Sequence, residues 1–165
     1  MRYTLLFACT AALGGAITLS GDASAQSFFA HRLRSVATDR CATVAPGELV
    51  LINTGCGTSS TFQKYDITTT GHKRTIKNVG LTSALGQAMC VTLGVPEAGA
   101  EPTMTTCDGS SSQQWTVFLA SPGQHQFCMA DVTGAFYCLQ AGGAGTNIAV
   151  QLKSNNLNQR WRILP

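Results

Sequence analysis

One pattern in the middle of the chain decides the fold. Residues 90–92 are Cys-Val-Thr, a second cysteine follows at position 107, and residues 113–115 are Gln-Gln-Trp. A cysteine pair followed within a few residues by Gln-x-Trp is a specific combination, and further copies of it elsewhere in the chain would define a repeat. Self-similarity at a fixed period of a few tens of residues indicates a fold built from repeats.

Two further copies flank this stretch. Upstream, Cys-Ala-Thr at 41–43 precedes Cys56 and Gln-Lys-Tyr at 63–65. Downstream, Cys-Leu-Gln at 138–140 precedes Gln-Arg-Trp at 159–161, and we place Asn155 where the second cysteine would fall. The leading cysteines, at positions 41, 90 and 138, are almost evenly spaced. The sequence therefore predicts three copies of one unit of about 48 residues, a period typical of repeat folds.

Each unit has the features of short strands separated by turn-forming residues. In the second unit the predicted strands are residues 75–79, 88–92, 103–106 and 115–119, with glycine and proline between them. Four strands in each of three units give twelve. A four-stranded unit cannot bury an apolar face alone, so we expect the three units to share one core around a pseudo-threefold axis and to close a barrel.

Residues 1–25 have the features of a signal peptide. Arg2 lies in a short basic start, residues 5–19 are apolar, and Ala23 and Ala25 form a small-x-small cleavage pattern before Gln26. We therefore expect a mature chain of residues 26–165 that forms a single domain and is secreted, to the extracellular space or the periplasm. The alternative is a lipid anchor on Cys9, because residues 6–9 loosely resemble a lipoprotein signal.

The composition excludes some classes of partner. Only 12% of residues are charged, the net charge is +3, and the basic residues are spread along the chain. This is a poor match to a nucleic-acid-binding surface, which concentrates its basic residues. No apolar stretch after position 25 reaches the roughly 20 residues of a membrane helix. A polar, weakly charged surface suits neutral partners such as glycans.

Six cysteines remain once Cys9 is removed with the signal peptide. An even number in an exported chain predicts a disulfide framework. Six cysteines allow 15 pairings, and the count alone does not choose between them. They are Cys41, Cys56, Cys90, Cys107, Cys128 and Cys138.

The repeated pattern resembles the ricin-type β-trefoil, or QxW, lectin domain family. Two Gln-x-Trp motifs and one Gln-x-Tyr variant, all in phase with the cysteines, carry the resemblance over essentially the whole of residues 26–165. It implies an all-β trefoil with repeats at about 28–70, 71–120 and 121–165. It also implies that the motif aromatics lie in the shared core and that the motif glutamines tie strand to loop by hydrogen bonds. These are Tyr65, Trp115 and Trp161, and Gln63, Gln113 and Gln159.

The same family register suggests a disulfide pairing. Cys41 with Cys56 and Cys90 with Cys107 would each staple one repeat, and a loop of this size contributes about 3 kcal/mol in the chain-entropy model. Cys128 and Cys138 are then left as partners. They flank the turn-like residues 131–134, so a bridge between two strands is plausible, although this pair departs from the usual family pattern.

Sugar binding in the family depends on an Asp two residues after the first cysteine and an aromatic platform two residues before the second. An Asn before the motif glutamine completes the set. A carboxylate or amide binds sugar hydroxyls, and an aromatic ring stacks on the apolar face of the sugar. Here the Asp positions hold Thr43, Thr92 and Gln140, and we assign Thr54, Thr105 and Lys153 to the platform positions.

Only the third repeat keeps part of this set. Asn158 precedes its motif glutamine, and Gln151 falls at a polar ligand position of the family. We therefore place the candidate carbohydrate site at Gln140, Gln151, Asn155 and Asn158. Phe136 or Tyr137 could supply the missing aromatic, although strand alternation points them to opposite faces. The alternative is that these amides only solvate a loop.

The sequence thus predicts a secreted carbohydrate-binding module with no catalytic activity, metal or cofactor, whose partners are glycans or glycoproteins. Its seven carboxylates after position 25 are scattered over the repeats, and its three histidines lack a metal-binding spacing. The main alternative is a protein-interaction or cell-surface-binding subunit of a secreted toxin or enzyme complex with degenerate sugar sites. Protease inhibition is a third possibility that has only the fold behind it.

Overall fold

The computed structural model describes residues 26–45 and 47–165. The predicted signal peptide, its cleavage pattern and Cys9 lie outside the described residues. The described chain forms twelve strands, one α-helix and three single-turn 3-10 helices. They are β1 (Phe28–Ser35), β2 (Cys41–Val44), β3 (Leu51–Thr54), a 3-10 helix (Thr61–Gln63), β4 (Lys64–Thr70), β5 (Lys73–Asn78), α1 (Val79–Leu85), β6 (Met89–Thr92), β7 (Thr103–Thr106), a 3-10 helix (Ser111–Gln113), β8 (Thr116–Ser121), β9 (Gln124–Ala130), β10 (Phe136–Gln140), β11 (Ala149–Leu152), a 3-10 helix (Leu157–Gln159) and β12 (Trp161–Leu164).

Six of these strands close into a barrel. β1 pairs with β4 and β12, β4 pairs with β5, and β9 pairs with β8 and β12. The remaining junction, between β5 and β8, is closed at Arg74 and Trp115, which exchange backbone hydrogen bonds of 2.7 and 2.8 Å. Closure of the ring pairs every barrel strand on both sides, so the barrel itself presents no open edge.

The other six strands form three hairpins, β2–β3, β6–β7 and β10–β11. The hairpins are joined to one another by backbone hydrogen bonds. Met104 donates to Leu49 at 2.7 Å, Ile148 donates to Leu51 at 2.7 Å, and Val150 donates to Ala100 at 2.8 Å. A closed six-stranded barrel with three mutually bonded hairpins is the β-trefoil predicted from the repeats, with four strands from each unit.

The core repeats with the same threefold pattern. In each repeat, one core residue comes directly before the strand residue that pairs with the leading cysteine. These core residues are Leu33, Ile76 and Phe127, and all three are at most 1% exposed. The motif aromatics Tyr65, Trp115 and Trp161 are fully buried, as predicted. The indole nitrogens of Trp115 and Trp161 each donate a 3.0 Å hydrogen bond to a backbone carbonyl, of Val91 and Leu139 respectively.

The first repeat departs from this arrangement at the tyrosine. The Tyr65 hydroxyl makes no hydrogen bond of normal geometry to any described residue. Burial raises the pKa of this phenol, and interaction with the Asn78 side chain opposes that effect in part. Replacement of tryptophan by tyrosine thus preserves the aromatic packing of the core without the indole hydrogen bond.

Three disulfides staple the repeats. They join Cys41 to Cys56, Cys90 to Cys107, and Cys128 to Cys138, the pairs suggested by the family register. The third differs in kind because Cys128 of β9 lies directly opposite Cys138 of β10 in the ladder. In the other two repeats, the residues paired with the leading cysteines Cys41 and Cys90 are Arg34 and Lys77. The third bridge therefore crosses from the barrel to its hairpin.

The α-helix was not predicted from the sequence. The strand expected over residues 75–79 ends at Asn78, and Val79 begins α1 instead. The Asn78 side chain caps this helix by accepting a 2.8 Å hydrogen bond from the Leu81 amide, and Gly86 ends it in the left-handed conformation, with φ of 67°. A helix of seven residues is too short to show a clear helical periodicity, which explains why the sequence pattern did not reveal it.

Gly80 allows α1 to pack on the preceding repeat. A Cβ atom at this position would lie 2.7 Å from the backbone nitrogen of Phe62. We predict that Gly80→Ala lowers the free energy of unfolding by about 1–3 kcal/mol, the usual cost of overpacking. Urea denaturation of the oxidised protein measures this difference. Gly55→Ala is the control, because a Cβ there meets nothing within 4 Å. Equal stability of the two variants would contradict the packing described here.

Candidate functional site

The candidate site lies on the outer face of the third hairpin, β10–β11. Side chains alternate along a strand, so Phe136, Cys138 and Gln140 share one face of β10. Gln151 of β11 is directly opposite Cys138, which places it on the same face. The intervening residue Leu139 is buried in the core, so this face points away from the core. The structure therefore brings Gln140 and Gln151 together.

The register corrects our alignment of the third repeat. Thr54 and Thr105 lie opposite the leading cysteines of their repeats, and in the third hairpin this place is taken by Gln151. Gln151, and not Lys153, therefore occupies the platform position. Lys153, and not Asn155, then occupies the place of the second cysteine. The assignment to Asn155 was wrong because it followed the 17-residue cysteine spacing of the second repeat rather than the 15-residue spacing of the first.

The motif glutamine of this repeat ties the hairpin to the loop that follows. Gln159 is buried, and its side-chain nitrogen donates to the Leu152 carbonyl at 2.9 Å and, more weakly, to the Gln140 side-chain oxygen at 3.4 Å. Its oxygen accepts a 2.8 Å hydrogen bond from the Ser154 amide. The Gln140 oxygen is thus oriented by Gln159. The Gln140 nitrogen has no hydrogen-bond partner among the described residues and remains available to a ligand.

Two aromatic rings border the same face. Phe118 of β8 and Phe136 of β10 make an edge-to-face contact with ring centroids 4.9 Å apart. The Lys153 ammonium lies 4.7 Å from the centroid of Phe118, a cation–π distance, and the Lys153 amide donates to the Phe136 carbonyl at 2.7 Å. Both phenylalanines are half-buried. Phe136 is one of the two aromatics indicated by the sequence. Phe118 was missed because it belongs to the second repeat.

Asn155 and Asn158 lie between β11 and β12, Asn155 in the loop and Asn158 in the 3-10 helix Leu157–Gln159. The Asn158 carbonyl accepts a 2.9 Å hydrogen bond from Ala141, the residue after Gln140, which holds this asparagine beside the end of β10. Asn155 is exposed, and its carbonyl accepts a 3.0 Å hydrogen bond from Arg160. Neither asparagine side chain makes a hydrogen bond within the described part of the chain. The backbone of Asn158 is therefore fixed at the end of β10 next to Gln140, whereas Asn155 has no such contact with the third hairpin among the described residues.

The equivalent positions of the first two repeats are occupied by threonines that bond to each other. The hydroxyls of Thr92 and Thr105 are 2.7 Å apart, and the buried Gln113 donates to both at 3.2 and 3.1 Å. In the first repeat Thr43 and Thr54 are bonded in the same way and to Gln63. These hydroxyls are already engaged within the protein, and neither repeat has a carboxylate or an aromatic ring at these positions.

The titratable groups with shifted pKa values have structural roles. Hydrogen bonds from Ser110 lower the pKa of Asp108, and hydrogen bonds from Thr133 lower the pKa of Asp131, so both carboxylates anchor turns in their ionised form. Burial lowers the pKa of His125, which lies on β9. Among residues 26–45 and 47–165 no group of three or more His, Cys, Asp or Glu side chains is arranged to hold a metal ion.

The outward hairpin face, the buried glutamines and the disulfides agree with a match to one family model. The model described as the ricin-type beta-trefoil lectin domain matches residues 29–161. The chain belongs to the ricin-type β-trefoil lectin family. This family binds glycans, and the match spans all three repeats of the trefoil. A comparison with curated protein sequences finds no match. No helix in the described residues is long and apolar enough to span a membrane.

Solved structures share the ricin-type fold at low sequence identity. The designed threefold-symmetric protein ThreeFoil is 14% identical with a TM-score of 0.68, over 82% of this chain and 97% of its own. A ricin B-like lectin of Macrolepiota procera, solved in complex with lactose, is 17% identical with a TM-score of 0.64, over 85% and 95%. A mosquitocidal holotoxin is 15% identical with a TM-score of 0.66, over 84% of this chain but 16% of the toxin.

The motif glutamines of this ricin-type trefoil are predicted to matter for stability. Gln113 accepts a 2.9 Å hydrogen bond from the Asp108 amide and donates a 2.8 Å hydrogen bond to the Thr106 carbonyl. Gln113→Ala would leave these groups unpaired, so we expect the free energy of unfolding to fall by about 2–4 kcal/mol in urea denaturation. Gln87→Ala removes an exposed amide and should change it by less than about 0.5 kcal/mol. A similar loss in both variants would refute the structural role.

Proposed function

We propose that this protein is a secreted carbohydrate-binding module without catalytic activity, and that its glycan site is the outer face of the third hairpin. The observation that carries the proposal is that Gln140, Gln151 and Phe136 share one outward face of this hairpin. Asn158 is bonded to the end of β10, and Phe118 packs against Phe136. Export is supported by the predicted signal peptide and by three disulfides, which persist in oxidising compartments.

The chemistry of this face matches a sugar. A primary amide offers both donors and an acceptor, so an amide can bind adjacent hydroxyls of one sugar ring. The Gln140 nitrogen and the Asn158 side chain are free for this purpose. Phe136 and Phe118 provide a half-exposed aromatic surface on which the apolar face of a sugar can pack. In this proposal the amides of the third repeat bind the sugar hydroxyls that the acidic residue binds in the family. The aromatic contact comes from neighbouring strands.

The absence of catalysis is proposed from the same surface. Hydrolysis of a glycosidic bond ordinarily uses two carboxyl groups that flank the bond. The residues described on this face are amides, aromatics and a lysine. The nearby Asp131 is engaged by hydrogen bonds from Thr133 and Ala135, which hold the turn between β9 and β10. We therefore expect this face to bind a glycan without hydrolysing it.

A second candidate function is a protein-interaction or cell-surface-binding subunit of a secreted toxin or enzyme complex. The internally bonded threonines of the first two repeats favour it, because their hydroxyls occupy the family's ligand positions and are already engaged within the protein. The mosquitocidal holotoxin is one case in which this fold makes up a small part of a toxin chain. In this alternative the trefoil binds a protein partner and its glycan sites have been lost.

Binding of glycans by residues 26–165 can be measured on a glycan array and then by calorimetry. We predict saturable binding that weakens about fivefold or more in Gln140→Ala, Asn158→Ala and Phe136→Ala, because each variant removes a hydrogen bond or a stacking surface worth about 1 kcal/mol or more. Two variants away from the hairpin are matched controls. Gln87→Ala removes an exposed amide, and Phe29→Ala removes an aromatic side chain that is 62% exposed.

Two results would count against the glycan site. The first is the lack of saturable binding on an array that includes neutral and acidic glycans. The second is binding that none of the three hairpin variants weakens. Recovery of a stable, secreted protein partner together with the first result would favour the interaction-subunit alternative.

A further inference from the structure

A pocket lies between the second and third repeats. It has a volume of about 190 Å³, and its lining includes Lys73, Leu93, Ser112, Gln114 and Met129. We call it the inter-repeat pocket. The hairpin-face residues described above do not contribute to it, so it is separate from the candidate glycan site. At this volume it is smaller than the roughly 300–1,000 Å³ of sites for drug-sized ligands and suits a single ring.

The walls of the pocket are held by backbone hydrogen bonds. The Leu93 amide donates to the Ser112 carbonyl at 2.9 Å, which fixes the end of the second hairpin against the 3-10 helix Ser111–Gln113. The backbone hydrogen bonds between Arg74 and Trp115 hold Lys73 of β5 near Gln114, the residue before Trp115. Because backbone hydrogen bonds of the folded chain hold these walls, the pocket needs little ordering when a ligand enters, and less binding free energy is lost to that process.

The pseudo-threefold symmetry is broken in a way that opens this pocket. At the boundary between the first and second repeats, α1 packs on the 3-10 helix Thr61–Gln63. Gly80 lies against Phe62 there, and the Asn78 side chain donates to the Phe62 carbonyl at 2.9 Å. Ser112 takes the place of Phe62 in the second repeat, and β9 leads into a tight turn rather than a helix. A small side chain and a short connection therefore leave space at the second boundary.

The chemistry of the pocket indicates an anionic, hydroxylated ligand. Lys73 contributes an ammonium group, and none of the residues that line the pocket is acidic. Ion pairs between described residues join Arg34 to Asp39 and Lys77 to Asp66, which leaves Lys73 without a carboxylate partner in that part of the chain. Gln114 donates through its side-chain nitrogen to the Gly109 carbonyl, so its side-chain oxygen faces no protein donor among the described residues.

We propose that the inter-repeat pocket binds the acidic sugar residue of a glycan. The ligand carboxylate pairs with the Lys73 ammonium, a sugar hydroxyl donates to the side-chain oxygen of Gln114, and the ring packs on Leu93 and Met129. The proposal rests on the proposed function for its ligand class, a saccharide. It concerns a different site, however, so either one can fail alone.

An NMR titration of ¹⁵N-labelled residues 26–165 with N-acetylneuraminic acid tests the pocket directly. We expect saturable shifts of the amides of Lys73, Ser112 and Gln114. Lys73→Gln should weaken this binding about tenfold or more, because an ion-paired hydrogen bond is lost, and Lys73→Arg should retain most of it. The control is Lys77→Gln, which removes a lysine of the same strand that is paired with Asp66.

Two further ligands define the class. Galactose carries hydroxyls without charge, and acetate carries charge without hydroxyls. The proposal requires N-acetylneuraminic acid to shift the pocket amides at concentrations at which neither of these does. Equal shifts with acetate or galactose, no shift with the acidic sugar, or unchanged affinity in Lys73→Gln would each overturn it.

The hairpin variant Gln140→Ala separates the two proposals. It should weaken binding at the hairpin face and leave the shifts of the pocket amides unchanged. Suppose that Gln140→Ala loses binding on the glycan array and that the pocket amides of the wild-type chain do not respond to the acidic sugar. The proposed function would then stand, and only the pocket proposal would be overturned. Pocket shifts that disappear in Gln140→Ala would show that the ligand sits on the hairpin face, which also overturns the pocket.

Discussion

The buried glutamine side chain of each repeat connects the parts of this trefoil. In all three repeats its nitrogen donates to the hairpin and its oxygen accepts from the loop that follows, as seen for Gln63, Gln113 and Gln159. An amide is suited to this position because it donates and accepts at once without a charge that burial would penalise. The motif aromatic two residues later then enters the shared core, so loop, hairpin and barrel are positioned by one short segment.

The same interaction distinguishes the third repeat from the first two. In the first two repeats the glutamine nitrogen is shared with a pair of threonine hydroxyls, and this polar cluster is complete within the protein. In the third repeat the corresponding residues are Gln140 and Gln151. These side chains are longer, and the amide nitrogen of Gln140 extends beyond the internal network. The network that stabilises two repeats thus leaves free donors in the third.

The departures from threefold symmetry are concentrated where strands leave the barrel. β5 ends in α1, whereas β9 continues through a disulfide-linked turn to β10. The helix closes the boundary between the first two repeats, and the turn leaves the inter-repeat pocket at the next one. A disulfide between paired strands also compensates for the staple that the third repeat lacks, because Lys153 replaces the second cysteine there. Each repeat therefore keeps the fold while its surface differs.

The sequence by itself determined the architecture, because the cysteines and the Gln-x-aromatic motifs recur with the period of one structural unit. It also indicated the buried aromatics and the third repeat as the place of the candidate site. Only the tertiary structure decided the register of the third hairpin. The first and second repeats have different cysteine spacings, and the sequence of the third repeat is compatible with both, so only strand pairing distinguishes them. Phe118 and the inter-repeat pocket likewise depend on contacts between different repeats, which no local pattern encodes.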